Sequence, residues 1–147
     1  MILDIATKEG KTFHITLTAE SENVLQGKKI GDTLDGSLLD KKFSGFKLQI
    51  TGLSNISGFP ARRDVDGTTL KRVLLVKGVG FKGKGGRMKK TRKIKGMRKR
   101  RTIRGNAIAQ DITQVNVKIL EGDGKKLAEM FGKSEAKEQN EKNEKSE

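Results

Sequence analysis

The sequence predicts a mainly β fold: a small barrel-like body of short, mostly antiparallel strands, with a basic extended loop and a short C-terminal helix and tail. Three observations lead there. Apolar and polar residues alternate with period two in several short stretches, the pattern of half-buried strands. Eighteen glycines, often beside Asp or Asn, punctuate those stretches as turns would. No stretch sustains the 3.6-residue periodicity of a long amphipathic helix, which points away from helical and doubly wound folds.

Along the chain, residues 2–7 and 12–18 read as two strands. Phe13, Ile15 and Leu17 alternate with His14, Thr16 and Thr18, and KEGK between the strands offers Gly10 for the turn, so the pair is expected to form a hairpin. AESENVLQGKK holds one helical turn ended by Gly27. KIGDTLDGSLL carries Gly-Asp and Asp-Gly punctuation suited to short strands and turns. FKLQIT, residues 46–51, alternates again through Phe46, Leu48 and Ile50, and GLSNISGFPARRDVDGT, with the single proline, reads as turn chemistry. LKRVLLVK, residues 70–77, has the continuous apolar character of a strand buried on both faces. NAIAQDI and TQVNVKIL are expected as two further strands, with Val115, Val117 and Ile119 on one face. GKKLAEMFG would close the body as a short helix through Leu127, Met130 and Phe131. Residues 1–132 are thus expected as one domain containing a Gly/Lys/Arg-rich segment, 78–105. The last fifteen residues hold no apolar residue except Ala136, so 133–147 is expected as a polar, solvated tail.

Composition narrows the function. Of 147 residues, 33% are apolar and 34% charged, which leaves a modest core. No apolar run approaches the roughly 18 residues of a membrane span. The opening MILDIATKEG lacks the pattern of a signal peptide, so the expected location is the cytoplasm. Cysteine is absent, which removes disulfides and thiolate chemistry. The net charge of +14 is concentrated in one place. Residues 1–66 balance 9 basic with 9 acidic side chains; residues 67–110 carry 16 basic and no acidic ones; residues 111–147 carry 7 and 9. Such a block repels itself and calls for a polyanion, with nucleic acid ahead of an anionic membrane surface.

LLVKGVGFKGKGG, residues 74–86, invites a nucleotide-enzyme reading and then refuses it. Gly78, Gly80 and Gly83 have dinucleotide-turn spacing, and Gly78, Gly83 and Lys84 approach a phosphate-binding loop. A phosphate loop needs Ser or Thr after the Lys and a helix behind it; Gly85 and Gly86 follow instead. The dinucleotide turn needs an acidic residue about 20 positions on, and none appears before Asp111. Glycines also let a backbone approach a phosphodiester, and their neighbours suit that use. Thirteen Lys and Arg side chains lie in residues 82–104 with no acid among them. The candidate RNA-binding residues are Lys82, Lys84, Arg87, Lys89, Lys90, Arg92, Lys93, Lys95, Arg98, Lys99, Arg100, Arg101 and Arg104, with Arg62 and Arg63 in the preceding loop. No helix-turn-helix or zinc-finger spacing points to DNA. Six Phe, no Tyr and no Trp are few for a base-stacking platform, so backbone and shape contacts to folded RNA are expected.

Other chemistry is thin. His14 is the only histidine, and one His without Cys does not suggest a zinc site. Asp32, Asp35, Asp64 and Asp66 lie in turns, where Asp commonly bonds local backbone. No catalytic residue, metal, cofactor or small-molecule substrate is expected. From the residues alone, the chain is an RNA-binding structural protein or a free-standing RNA-binding module or chaperone.

KKIGDTLDGSLL, KLQITGLSNISGFPARRDV, KRVLLVKGVGF and RRTIRGNAIAQDITQVNVKIL occur in an order, across residues 1–122, that resembles the archaeal small-subunit ribosomal protein six of the eukaryotic/archaeal (e-type) family. The resemblance implies a β-barrel-like body bound to small-subunit rRNA in the ribosome beside neighbouring ribosomal proteins, with no catalysis. Ala61 stands where the family pattern leads one to expect methionine. Eukaryotic members end in a long basic helix with regulated serines; this chain has only Ser134 and Ser146 in an acidic-leaning tail, so that regulation is not implied.

Overall fold

The fold is organised around its last strand. In a computed structural model, which describes residues 1–40, 43–85, 92–122 and Leu127 (for Arg92 and Lys93 the backbone only), the strands are β1 (Ile2–Ala6), β2 (Thr12–Thr16), β3 (Thr33–Asp35), β4 (Lys47–Asn55), β5 (Leu70–Leu75), β6 (Lys84–Gly85), β7 (Arg92–Lys93), β8 (Lys99–Arg104) and β9 (Ile112–Glu121). One helix, α1 (Ala19–Leu25), follows β2. The main sheet has the order β2-β1-β9-β4-β3. The protein is therefore mainly β. Among the described residues no ladder joins the edge strands β2 and β3, so the sheet stays open rather than closing into a barrel.

β9 is central because it buries Ile112, Val115, Val117 and Ile119 along one face. On one side it runs parallel to β1, setting Leu3 beside Val115 and Ile5 beside Val117. On the other it runs antiparallel to β4, where Leu48 meets Ile119, Ile50 meets Val117 and Leu53 meets Val115. The register shifts between Ile50 and Gly52. The extra residue at this bulge, Thr51, resets the side-chain alternation, so that Leu53 returns to the core face. Leu25 of α1, Leu34, Leu39, Phe43, Phe46, Ile108 and Leu127 cover that face. The expected hairpin of β1 and β2 is present, with Ile2 opposite Thr16 and Ala6 opposite Thr12. Gly27, just past α1, has φ 80° and so ends the helix as the sequence suggests.

Three expectations need correction. β4 continues to Asn55, through residues that read as turn, because the bulge lets Gly52 stay within the ladder. NAIAQDI is not a strand; only an isolated bridge from Ala107 to Lys29 forms there. LKRVLLVK does form a strand, but it is not buried on both faces. β5 pairs only with β8 in a two-stranded ribbon, and Leu74 is 52% exposed. Part of the expected extended basic loop is therefore ordered strand: β8 lies inside it. Leu127 is helical and buried, whereas Met130, Phe131 and the tail 133–147 lie outside the described residues.

Candidate nucleic-acid interface

The β5–β8 ribbon places the basic segment on a frame. Its register pairs Leu75 with Lys99, Leu74 with Arg100, Val73 with Arg101, Arg72 with Thr102 and Lys71 with Ile103. Paired residues of an antiparallel ladder share a face. One face carries Leu75 and Ile103, which with Phe81 form a small buried cluster flanked by Val65, Val73 and Met97. The opposite face presents Arg72, Leu74 and Arg100 to solvent. Arg101 leans back over the cluster, its guanidinium carbon 5.9 Å from the Phe81 ring centroid, a cation–π distance, while the residue stays exposed.

The glycine run explains itself in this setting. Gly78 N–H donates to Phe81 O at 2.9 Å and Phe81 N–H donates to Gly78 O at 3.1 Å, closing a tight turn. Gly80 in that turn has φ 86°, and a Cβ on it would stand 3.0 Å from Ile103 Cγ2 and 3.1 Å from Leu75 Cδ1. Glycine is needed there to seat Phe81 against the ribbon. β6, not a helix, follows Gly83, so neither nucleotide motif has its required context. β6 then pairs with β7, setting Lys84 opposite Lys93.

Lys82, Lys84, Lys95, Arg98, Lys99, Arg100 and Arg101 are all exposed, and among the described residues none is paired with a carboxylate. Arg63 is also exposed, while Arg62 is partly buried and paired with Asp64. Arg87, Lys89 and Lys90 lie outside the described residues, as do the side chains of Arg92 and Lys93. Lys71, Arg72 and Lys77 were missed by the sequence reading; all three are exposed beside this surface. Their signal was present, as cations interrupting an apolar run that a doubly buried strand could not have accommodated.

Arg104 does not belong to the interface. Its side chain is fully buried. Nε donates to Asp111 Oδ2 at 2.8 Å and Nη2 to Asp111 Oδ1 at 2.6 Å, a bidentate pair. Nη1 donates to the carbonyls of Gly105 and Ala107. This guanidinium clamps the base of the ribbon to the loop entering β9 and has no donor fork left for phosphate. The hydrogen bond from Arg104 holds the Asp111 carboxyl below its usual value, against the opposing effect of partial burial.

The remaining candidates are structural. His14 Nδ1 lies 2.5 Å from Asp4 Oδ1 on neighbouring strands. Asp32 accepts the Lys29 N–H at 2.8 Å, and Asp66 accepts Asn106 Nδ2 at 2.9 Å. Among the described residues no group of three or more His, Cys, Asp or Glu side chains is placed to hold a metal, and no helix is long and apolar enough to cross a membrane.

Comparison with known proteins meets this geometry from another side. The family profile described as ribosomal protein S6e matches residues 1–132. The small ribosomal subunit protein eS6 of Methanocaldococcus jannaschii is 43% identical over 126 residues, covering 85% of either chain. That of Methanosphaera stadtmanae is 40% identical over 131 residues, covering 89% of this chain and 92% of the relative. That of Archaeoglobus fulgidus is 36% identical over 128 residues, covering 87% and 92%. With an open β sheet, a cationic ribbon and this likeness over most of its length, the chain belongs to the ribosomal protein S6e family, whose members are structural, non-enzymatic components of the small ribosomal subunit in the cytoplasm.

Proposed function

We propose that residues 1–132 act as one rRNA-binding domain of the small subunit, gripping folded rRNA through the β5–β8 ribbon and the basic segment that joins its strands. One observation carries the reading: exposed cations without carboxylate partners among the described residues stand on both faces of a paired ribbon, Arg100 on one and Lys99 and Arg101 on the other. A surface cationic on one side would lie against a helix. A ribbon cationic on both sides suits a crevice with phosphates around it, as folded RNA provides. Arg63, Lys71, Arg72, Lys77, Lys82, Lys84, Lys95 and Arg98 widen the same surface, and Arg87, Lys89, Lys90, Arg92 and Lys93 continue it in sequence. The end of the family match at residue 132 supports the domain limit. Neighbouring ribosomal proteins complete the environment.

The test is the salt dependence of RNA binding. Each neutralised phosphate contributes a slope of about −0.7 to −0.9 in log K against log[salt]. Replacing Arg98, Lys99, Arg100 and Arg101 together with Gln is expected to make the slope less negative by about 3 and to weaken binding about 100-fold at low salt. An unchanged slope would place the interface elsewhere. Co-sedimentation with the small subunit separates a ribosomal role from that of a free-standing RNA chaperone.

A further inference from the structure

Beside the ribbon lies a cleft of about 640 Å³, within the range of small-ligand sites. Its floor is the β4–β9 pair at the Thr51 bulge, and its walls are the loop 60–64 and the turn 76–79. Leu53, Pro60, Ala61, Val76 and Val79 supply apolar lining. Three polar groups face it with unusual constraint.

The first is the Asn116 amide. Gln114 Nε2 donates to Asp4 Oδ2, a carboxylate oxygen that can only accept, and the same nitrogen donates to Asn116 Oδ1 at 3.0 Å. The chain Asp4–Gln114–Asn116 therefore fixes the Asn116 amide so that Nδ2 points away as a donor with no partner among the described residues. It stands 3.6 Å from the point a Gly52 Cβ would occupy, on the cleft floor. The second is Arg63. Its Cζ, Nη2 and Nε all lie 3.4–3.5 Å from where a Cβ of Gly31 would be, so the guanidinium rests flat on a glycine with φ 106°. The third is Lys77, whose stem covers Gly83, φ 68°, at 3.1–3.6 Å from the equivalent point. Two left-handed glycines thus cradle two of the three cations that line the cleft, Arg63 and Lys77. Neither cation has a carboxylate partner among the described residues, while Asp64, the acid in the lining, is taken by Arg62. The cleft carries net positive charge, apolar walls and one oriented N–H donor.

A peptide fits this poorly. β9 is paired on both sides, and the outer edge of β4, which β3 pairs only as far as Gln49, is occupied by loop backbone where Ile50 bonds Gly31 and Asp32 and where Ala61 N–H donates to Leu53 O, so little free strand edge is left for a peptide to extend. A planar base with ring or carbonyl acceptors, attached to a phosphate, matches all three features. We propose that the cleft takes one unpaired nucleotide of the bound RNA, its base in the apolar part with an acceptor on Asn116 Nδ2, and its phosphate on Arg63 and Lys77. This rests on the RNA-binding reading and adds to it a site for an extruded base, the form in which RNA is read by side chains.

The experiment follows backbone and side-chain amide resonances of the full chain during titration with 5′-mononucleotides, inorganic phosphate and a short RNA duplex. Mononucleotides are expected to shift Gly31, Gly52 and the Asn116 side-chain amide saturably. Asn116→Ala is expected to lower mononucleotide affinity about fivefold, the loss of one hydrogen bond, with duplex affinity nearly unchanged; Arg63→Ala is expected to lower mononucleotide affinity about tenfold and duplex affinity by a smaller factor, because Arg63 also belongs to the RNA-binding surface. Equal shifts with phosphate alone, or an inert Asn116→Ala, would overturn the base site. Duplex binding at the ribbon without any mononucleotide response would remove the cleft proposal and leave the RNA reading intact; absence of both would remove the two together. In assembled subunits, a photo-crosslinker replacing Val79, which is 60% exposed on the cleft wall, is expected to capture RNA. Capture of a protein neighbour instead would overturn the assignment.

Discussion

The sheet and the ribbon solve opposite problems with the same kind of strand. The sheet gathers seventeen buried apolar side chains among the described residues, and residues 1–66, which supply most of it, balance their charges. The ribbon gathers three, Leu75, Phe81 and Ile103, within a segment that has no acid from 67 to 110. A two-stranded ribbon is marginal by itself. This one persists because a small cluster and a buried arginine clamp fasten it at its base, leaving the strands free to carry charge that no core could accept. The lesson is a division of labour: stability is concentrated in one sheet so that a neighbouring element can be built for electrostatics.

That contrast can be broken in graded steps. Val117→Asp places a charge at a position 1% exposed in the central strand. It is expected to cost about 4 kcal/mol or more and abolish the cooperative melt seen by circular dichroism. Gly105→Ala comes next. A Cβ there would stand 2.0 Å from the Gly67 carbonyl oxygen, backbone that cannot swing aside, so a loss of about 3 kcal/mol is expected in the same assay. Leu75→Ala should cost about 2 kcal/mol, but locally. Hydrogen exchange is expected to quicken at Arg72 and Arg100 while β1, β4 and β9 keep their protection; uniform quickening would mean that sheet and ribbon are one cooperative unit.

The smaller effects sharpen the comparison. Asp111 has its folded pKa below the usual 3.8, chiefly through the Arg104 hydrogen bond. The stabilisation is therefore present above the unfolded value and lost as pH falls from about 3.8 through the lower folded value. Asp111→Asn is expected to flatten that part of an acid-denaturation curve and also to lower stability near neutrality, because it leaves the fully buried Arg104 guanidinium without its carboxylate. At the bottom of the scale, replacing Arg98, Lys99, Arg100 and Arg101 with Gln should leave folding stability within about 0.5 kcal/mol of the parent while RNA affinity collapses. Melting and binding measured on one sample check both halves.

Much of the sheet was legible before the structure. The alternation of Phe13 and Ile15 against His14, and of Val115, Val117 and Ile119, is a local property that fixes which face is apolar, and the hairpin of β1 and β2 needs only its turn. The charge block was equally plain. Less legible was β8, because Lys99–Arg104 carries the composition of a solvated loop and becomes a strand only through its ladder with Leu70–Leu75. The cleft left no sequence signal, since Gly31, Arg63, Lys77 and Asn116 come from separate elements that only the fold brings together.

By itself the sequence determined the class of fold, the apolar faces of the main strands and the segment that must meet a polyanion, because period, turn chemistry and net charge are carried by residues near one another. Only the tertiary structure decided that β9 would lie parallel to β1 across more than a hundred residues, that Leu74 would face water, and that Arg104 alone among the candidate cations described would be withdrawn into the interior. The physical reason is the same in each case. Burial is set by what the fold brings alongside a residue, and an arginine enters the interior only where a carboxylate such as Asp111 and two carbonyls wait to receive its donors.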